Sequence, residues 1–138
     1  MTKALRQFVV KKLREPSDKM VDADIEWICS SLGFVSSRDQ DKTAYRIIQS
    51  LVHAAQNGGG MTGEKLAEQV EPTIGSVFYH LNKLMKAGLV VKFGSEFELR
   101  QSSLRKTIEE IEKDITRSLS DIKRIAGEVD DALGLEHR

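Results

Sequence analysis

Thr73 to Arg100, read as TIGSVFYHLNKLMKAGLVVKFGSEFELR, constrains the fold of this chain more than any other stretch. Val77, Leu81, Leu84 and Met85 recur at the spacing of one helical face. Ala87-Gly88 then supplies a stop, because glycine closes a helix end in a conformation that a Cβ disfavours. Two short alternating runs follow, Leu89–Phe93 and Glu96–Leu99. Gly94-Ser95 lies between them, the two-residue spacing of a tight hairpin.

Upstream of this unit the sequence predicts a series of helices. Residues 2–14 read as a short amphipathic helix, with Leu5, Phe8, Val9 and Leu13 opposite lysines and arginines. Glu15-Pro16 ends it, since the residue before proline avoids the helical region. Asp22 is a good N-cap for a second helix reaching Leu32 before Gly33, with Ile25, Ile28, Cys29 and Leu32 inward and Trp27 near an edge. Ser36 to Asp39 form a turn, and a third helix from about Asp41 to Gln56 buries Tyr45, Ile48, Leu51, Val52 and Ala55. Gly58-Gly59-Gly60 breaks the chain. Thr62 caps a short helix through Val70, and Thr73 caps the next.

Three helices followed by a hairpin is the order of a winged helix-turn-helix. The expected fold is mainly α with a small β-hairpin: a winged helix-turn-helix plus N-terminal helices and a long C-terminal coiled-coil helix. Residues 1–35 would be an N-terminal helical arm, 36–100 the winged domain and 101–138 a dimerisation helix.

That last helix carries its own signal. Ile108, Ile115, Ile122 and Val129 fall at heptad position a, and Leu104, Ile111, Ser118, Ile125 and Ala132 at d. β-Branched residues at every a position suit a two-stranded coiled coil. Leu119 and Leu133 at e widen the stripe. The g positions hold Asp114, Asp121 and Glu128, which an antiparallel pair would set against one another, so the pattern favours parallel packing. The expected dimer interface is Leu104, Ile108, Ile111, Ile115, Ile122, Ile125 and Val129; folding back over the winged domain is the alternative.

Charge is balanced overall, with 21 Lys+Arg against 21 Asp+Glu. Its distribution is not even. In residues 1–20, Lys3, Arg6, Lys11, Lys12, Arg14 and Lys19 outnumber Glu15 and Asp18, whereas residues 21–41 are acidic. No apolar run approaches the roughly 18–20 residues that span a bilayer, and Phe8-Val9-Val10 is too short for a signal core. A cytoplasmic location is the expectation.

One cysteine excludes an internal disulfide, and Cys29 reads as a buried thiol in an apolar helix. His53, His80 and His137 lack paired ligand spacing, so no metal and no cofactor is expected. Gly58-Gly59-Gly60 leads into Met61-Thr62 and not into a phosphate loop, and no Ser/His/Asp arrangement has motif context. The chain does not read as an enzyme.

Double-stranded DNA is the expected partner. Thr73, Gly75 and Ser76 place free backbone N–H groups and small side chains at a helix N-terminus, where a phosphate is favoured. Tyr79 and Asn82 would reach base edges, while Lys83, Lys86 and, on the hairpin, Lys92 would meet phosphates. Glu96 and Glu98 weaken the hairpin as a DNA contact. His80 lies beside the apolar face, and Phe78 is expected to pack, with the N-terminal arm as its neighbour.

Gly75-Ser76-Val77-Phe78-Tyr79-His80-Leu81-Asn82-Lys83-Leu84, with Ala87-Gly88-Leu89-Val90, resembles the ArsR-type winged-helix regulators, especially archaeal ones. It is also similar to the PadR type. Residues Ser37 to Ile47 look like the corresponding helix start in archaeal regulators. The resemblance spans about residues 36–100. It implies a sequence-specific transcription regulator, with Ser76, Tyr79, Asn82 and Lys83 facing the major groove and dimerisation through C-terminal helices, as in PadR-type members. The cysteine pairs of metal-sensing members are missing here, so metal sensing is not implied. Two rivals stand beside a regulator of this kind. One is a winged-helix protein–protein interaction module without DNA binding. The other is a ligand-responsive regulator with a pocket lined by Trp27 and Phe8.

Overall fold

The structure is a computed structural model that describes residues 6–17, 20–35, 42–70 and 73–135. Its elements run α1 (Val21–Ser31), α2 (Thr43–Gln56), β1 (Met61–Thr62), α3 (Gly63–Val70), α4 (Ile74–Lys86), β2 (Val90–Phe93), β3 (Glu96–Leu99) and α5 (Leu104–Leu133). The architecture is mainly helical, with a small antiparallel sheet and a long C-terminal helix.

Helix boundaries follow from local chemistry. Thr62 Oγ1 accepts from the Lys65 N–H at 3.1 Å, and Thr73 Oγ1 from the Ser76 N–H at 3.0 Å. Ser103 Oγ does the same for Lys106 at the start of α5, at 3.1 Å. Each satisfies a donor that the first helical turn leaves orphaned. Three helices close alike: Gly33, Gly58 and Gly88 follow α1, α2 and α4 with φ of +80°, +76° and +82°. Behind α4, the Leu89 N–H reaches the Leu84 carbonyl and the Gly88 N–H the Met85 carbonyl, both at 3.0 Å. These two bonds define a Schellman motif, whose left-handed residue is best filled by glycine.

The sheet has the order β1-β3-β2. β2 and β3 pair in the register Val90–Leu99, Val91–Glu98, Lys92–Phe97 and Phe93–Glu96, around a turn whose Gly94 has φ +60°. β1 adds Met61–Phe97 and Thr62–Glu96 on the other edge of β3. This third strand was not expected. It brings the Gly60 backbone so close to β3 that a Cβ there would meet the Phe97 carbonyl oxygen at 2.6 Å.

One core serves all the elements. Ile25 and Cys29 of α1, Ile47, Ile48 and Leu51 of α2, Leu66 and Val70 of α3, and Val77, Leu81 and Leu84 of α4 meet Leu89, Val90, Phe97, Leu99 and Ile111. The buried face of α2 is turned from the expected one. Thr43, Ala44 and Ile47 join Ile48 and Leu51 inside, while Tyr45, Val52 and Ala55 are only half-buried.

Two sequence expectations are overturned. The predicted helix over residues 2–14 is absent from its described part: residues 6–17 form no helix, and residues 1–5 lie outside the described residues. Instead the arm lies along the domain. The Gln7 N–H donates to the Lys86 carbonyl at 3.1 Å and the Lys11 N–H to the Ser31 carbonyl at 2.7 Å. Carbonyls at the ends of α4 and α1 take these donors, and an isolated helix of such length is marginal in any case. α1 also begins two residues early, so that Asp22 lies in its first turn and Met20 holds the N-cap position. The expected turn at Ser36 to Asp39 lies outside the described residues.

The second correction concerns α5. Ile111 is 4% exposed and Thr107 fully buried against the chain's own core, while Leu104, Ile108 and Ile115 pack against it half-buried. The first three turns therefore serve the fold, and Ile111 is not available to a second copy. Only the distal stripe stands free: Leu119, Ile122, Ile125, Val129 and Leu133 are all at least half exposed.

Candidate nucleic-acid interface

α4 has two unlike faces. Val77, Leu81 and Leu84 are fully buried, which fixes the helix against the core. Tyr79, Asn82, Lys83 and Lys86 are exposed on the other side. At the N-terminus, Thr73, Ile74 and Gly75 are exposed and Ser76 is half-buried. The expected set is thus brought together on one helix and left open, save for the partial cover of Ser76.

Lys83 Nζ stands 4.6 Å from the centre of the Tyr79 ring, so the cation and the ring support each other across one turn. Among the described residues, Lys83 and Lys86 enter none of the ion pairs of the structure. Both lie in the last turns of α4, where the helix dipole favours a cation. Lys92 is exposed but leans toward the core side of the hairpin, its Nζ 5.5 Å from the Phe97 ring centre.

Phe78 is half-buried, and its described neighbours are not the expected N-terminal arm. Its ring packs edge-on to Phe97, centroids 5.9 Å apart, and covers Gly63. The residue that sequence reading missed is Phe93, 65% exposed at the hairpin tip. Strand alternation carried the signal, because inward Val90 and Leu99 place Val91 and Phe93 on the outer face.

A cluster at the other end of α4 was also missed. The Asp114 side chain, one-tenth exposed, accepts from Arg100 Nη1 at 2.6 Å, from Arg117 Nη1 at 3.0 Å and from Arg6 Nε at 3.4 Å. The guanidinium of Arg100 holds the Asp114 carboxyl below the usual carboxylate range, with Arg6 adding to it. Asp114 was expected at the flank of a dimer seam; it faces its own chain.

Two of the open grooves among the described residues lie away from the outer face of α4. One, of about 540 Å³, lies between α2 and α3 and is lined by Gln49, His53, Asn57, Lys65 and Gln69 among others. The other, of about 460 Å³, runs between Ile28 and the first turns of α5, with Leu104 and Ile108 on its floor and Arg105, Glu109 and Glu112 around them. The space beside Phe8 is about 10 Å³, closed by Val9, Leu32, Ala87, Ile111 and Ile115. That volume suits about one water and no metabolite. Among the described residues no three His, Cys, Asp or Glu side chains gather as a metal site, and no helix is long and apolar enough to cross a membrane.

Comparison with known protein families, with curated proteins and with solved structures found no match to this chain.

Proposed function

We propose that this chain is a cytoplasmic winged helix-turn-helix transcription regulator, archaeal in type, that binds double-stranded DNA sequence-specifically as a homodimer. The observation that carries the proposal is the division of α4. Its inner face is locked in the core, and its outer face offers an amide, an aromatic ring and two cations to a groove wide enough for a helix. The order α2-β1-α3-α4-β2-β3, with β1 paired to the hairpin, supports the winged reading of the fold.

The homodimer rests on the distal half of α5. Ile122, Ile125 and Val129 keep the β-branched a/d pattern of a two-stranded seam and are 50–63% exposed. Contiguous apolar surface of this kind marks an interaction site on a soluble protein. Two reading helices held by such a seam would address half-sites about 34 Å apart on one face of a duplex.

Fluorescence anisotropy tests the reading, using a duplex retained by the protein from a random pool. Affinity should fall steeply between low and moderate salt as Lys83 and Lys86 release counterions. Lys83→Glu with Lys86→Glu should weaken it at least about tenfold. Affinity indifferent to both salt and charge reversal would remove the DNA reading. A protein-interaction module is the second reading, favoured by Phe93 and Ile74, which is 47% exposed. Under that reading the same charge reversal leaves DNA retention unchanged and abolishes capture of a protein partner.

A further inference from the structure

We propose that Asp114 is a positioning residue that clamps α4 to α5, and that the dimer's hold on paired DNA half-sites depends on it. The consequence for DNA rests on the regulator reading above; the clamp itself does not.

Two guanidinium groups each span the same gap. Arg6 reaches Asp114 Oδ2 on α5 through Nε at 3.4 Å and donates through Nη1 to the Met85 carbonyl in the last turn of α4, at 3.3 Å. Arg100, at the end of β3, donates from Nη1 to Asp114 Oδ2 at 2.6 Å and to the Gly88 carbonyl at 3.4 Å. Its Nη2 lies 3.5 Å from Asp114 Oδ1. One carboxylate on α5 is thereby joined twice to the C-terminal end of α4.

Gly88 is the floor of this arrangement. A Cβ there would come within 2.9 Å of Arg100 Nη1 and 3.3 Å of both Arg6 Nε and Asp114 Oδ2. The three charged groups close over a backbone position that has no room for a side chain. The start of α5 is held as well, because the Gln101 N–H donates at 3.0 Å to Thr107 Oγ1, and Thr107 is fully buried.

Past Asp114 and the neighbouring Ile115, which still packs on the core, the attachment ends. Among the described residues, Asp114 is the last on α5 with a hydrogen bond or ion pair to another element; Arg124–Glu128 beyond it lies within the helix. The orientation of the distal helix relative to α4 is therefore set at or before this point. Apolar packing at Ile111 tolerates small rotations, whereas a carboxylate held between two directional guanidinium forks does not.

The test uses the full chain with Asp114→Asn, which keeps the shape and removes the charge. Spin labels on cysteines introduced at exposed Asn82 and Asp131, diluted with unlabelled protein, read the angle between α4 and α5. Cys29 is fully buried and stays unlabelled. A narrow distance distribution should broaden in Asp114→Asn, with helical content and self-association retained. An unchanged distribution overturns the clamp.

On a duplex selected by the unmodified protein, Asp114→Asn should lose about tenfold or more in affinity for two half-sites. Affinity for a single half-site should stay within about twofold, and the salt dependence per half-site should not change. Equal losses on both duplexes, or none on either, overturn the positioning role. If no duplex is retained at all, the regulator reading fails, while the label distances still decide the clamp.

Discussion

The ring of Phe78 meets that of Phe97 edge-on, with planes at 71°, and the Phe78 ring covers Gly63 at the start of α3. A Cβ on Gly63 would overlap the Cζ tip of the Phe78 ring. The Gly63 φ is an ordinary one, so only sterics opposes a side chain there. Gly63→Ala should therefore destabilise the fold by about 1–3 kcal/mol, outweighing the roughly 1 kcal/mol by which alanine favours a helix. Urea unfolding measures this, and pairing the change with Phe78→Leu should recover part of the loss. A stabilised Gly63→Ala protein would mean that the ring moves aside freely.

Ile111 and Ile122 occupy core positions, d and a, of one heptad pattern but do different work. Ile111→Ala should cost about 2–5 kcal/mol of stability, as for a buried branched side chain. Ile122→Ala should change the stability of the dilute chain by no more than about 0.5 kcal/mol and weaken self-association. Unfolding at low concentration, set beside sedimentation equilibrium, separates the two. Equal costs at both positions would contradict the division of α5.

Asp114 gives the fold an acid limit. Its carboxyl is held below the ordinary range by Arg100 first and Arg6 next, and arginine stays charged throughout. The folded pKa lies below the unfolded one, so the stabilisation is fully present above about pH 4 and lost as pH falls through the depressed folded value. The stability difference between the native chain and Asp114→Asn should be level from about pH 5 to 8 and shrink below about pH 4. A difference that disappears near neutrality would assign the effect to another group.

Cys29 should be chemically silent. Burial, aided by the charge of Glu26, pushes its thiol up to about 12. Raised that far, it remains protonated across the physiological range, and the thiolate is the reactive form. A thiol reagent at pH 8 should leave the native chain unmodified and label it fully in denaturant. Rapid native labelling would show that α1 opens readily from the core.

The hairpin and the caps at Thr62 and Thr73 were legible because they depend on neighbours in sequence, whereas the cap expected at Asp22 was not one. Thr62, Thr73, Gly88 and Gly94-Ser95 each act within a few positions of themselves. The arm was misread because Phe8 and Val9 with intervening lysines satisfy a helical pattern, while the decisive acceptors, the Lys86 and Ser31 carbonyls, are distant in the chain. β1 is two residues long, too short for alternation to register, and its pairing is fixed from Phe97 and Glu96. The stripe of α5 was correctly apolar from Leu104 onward, yet periodicity cannot say whether a second copy or the chain itself covers a given turn. On the candidate surface, α4's free face follows directly from its buried one. The Arg6–Asp114–Arg100 cluster draws on three segments, and no local pattern announces it.

The division of α5 gives the protein a mechanical character. The 30 residues of the helix extend about 45 Å, with support confined to its first turns. Pivoted at Asp114, the free stretch of about 28 Å would swing its far end by roughly 2.5 Å for a tilt of about 5°, a fifth of the width of a major groove. A rod held at one end turns a small rotation at its hinge into a larger displacement at its tip. A small rotation of α4 relative to α5 would thus appear at the tip of α5 as a displacement of ångströms.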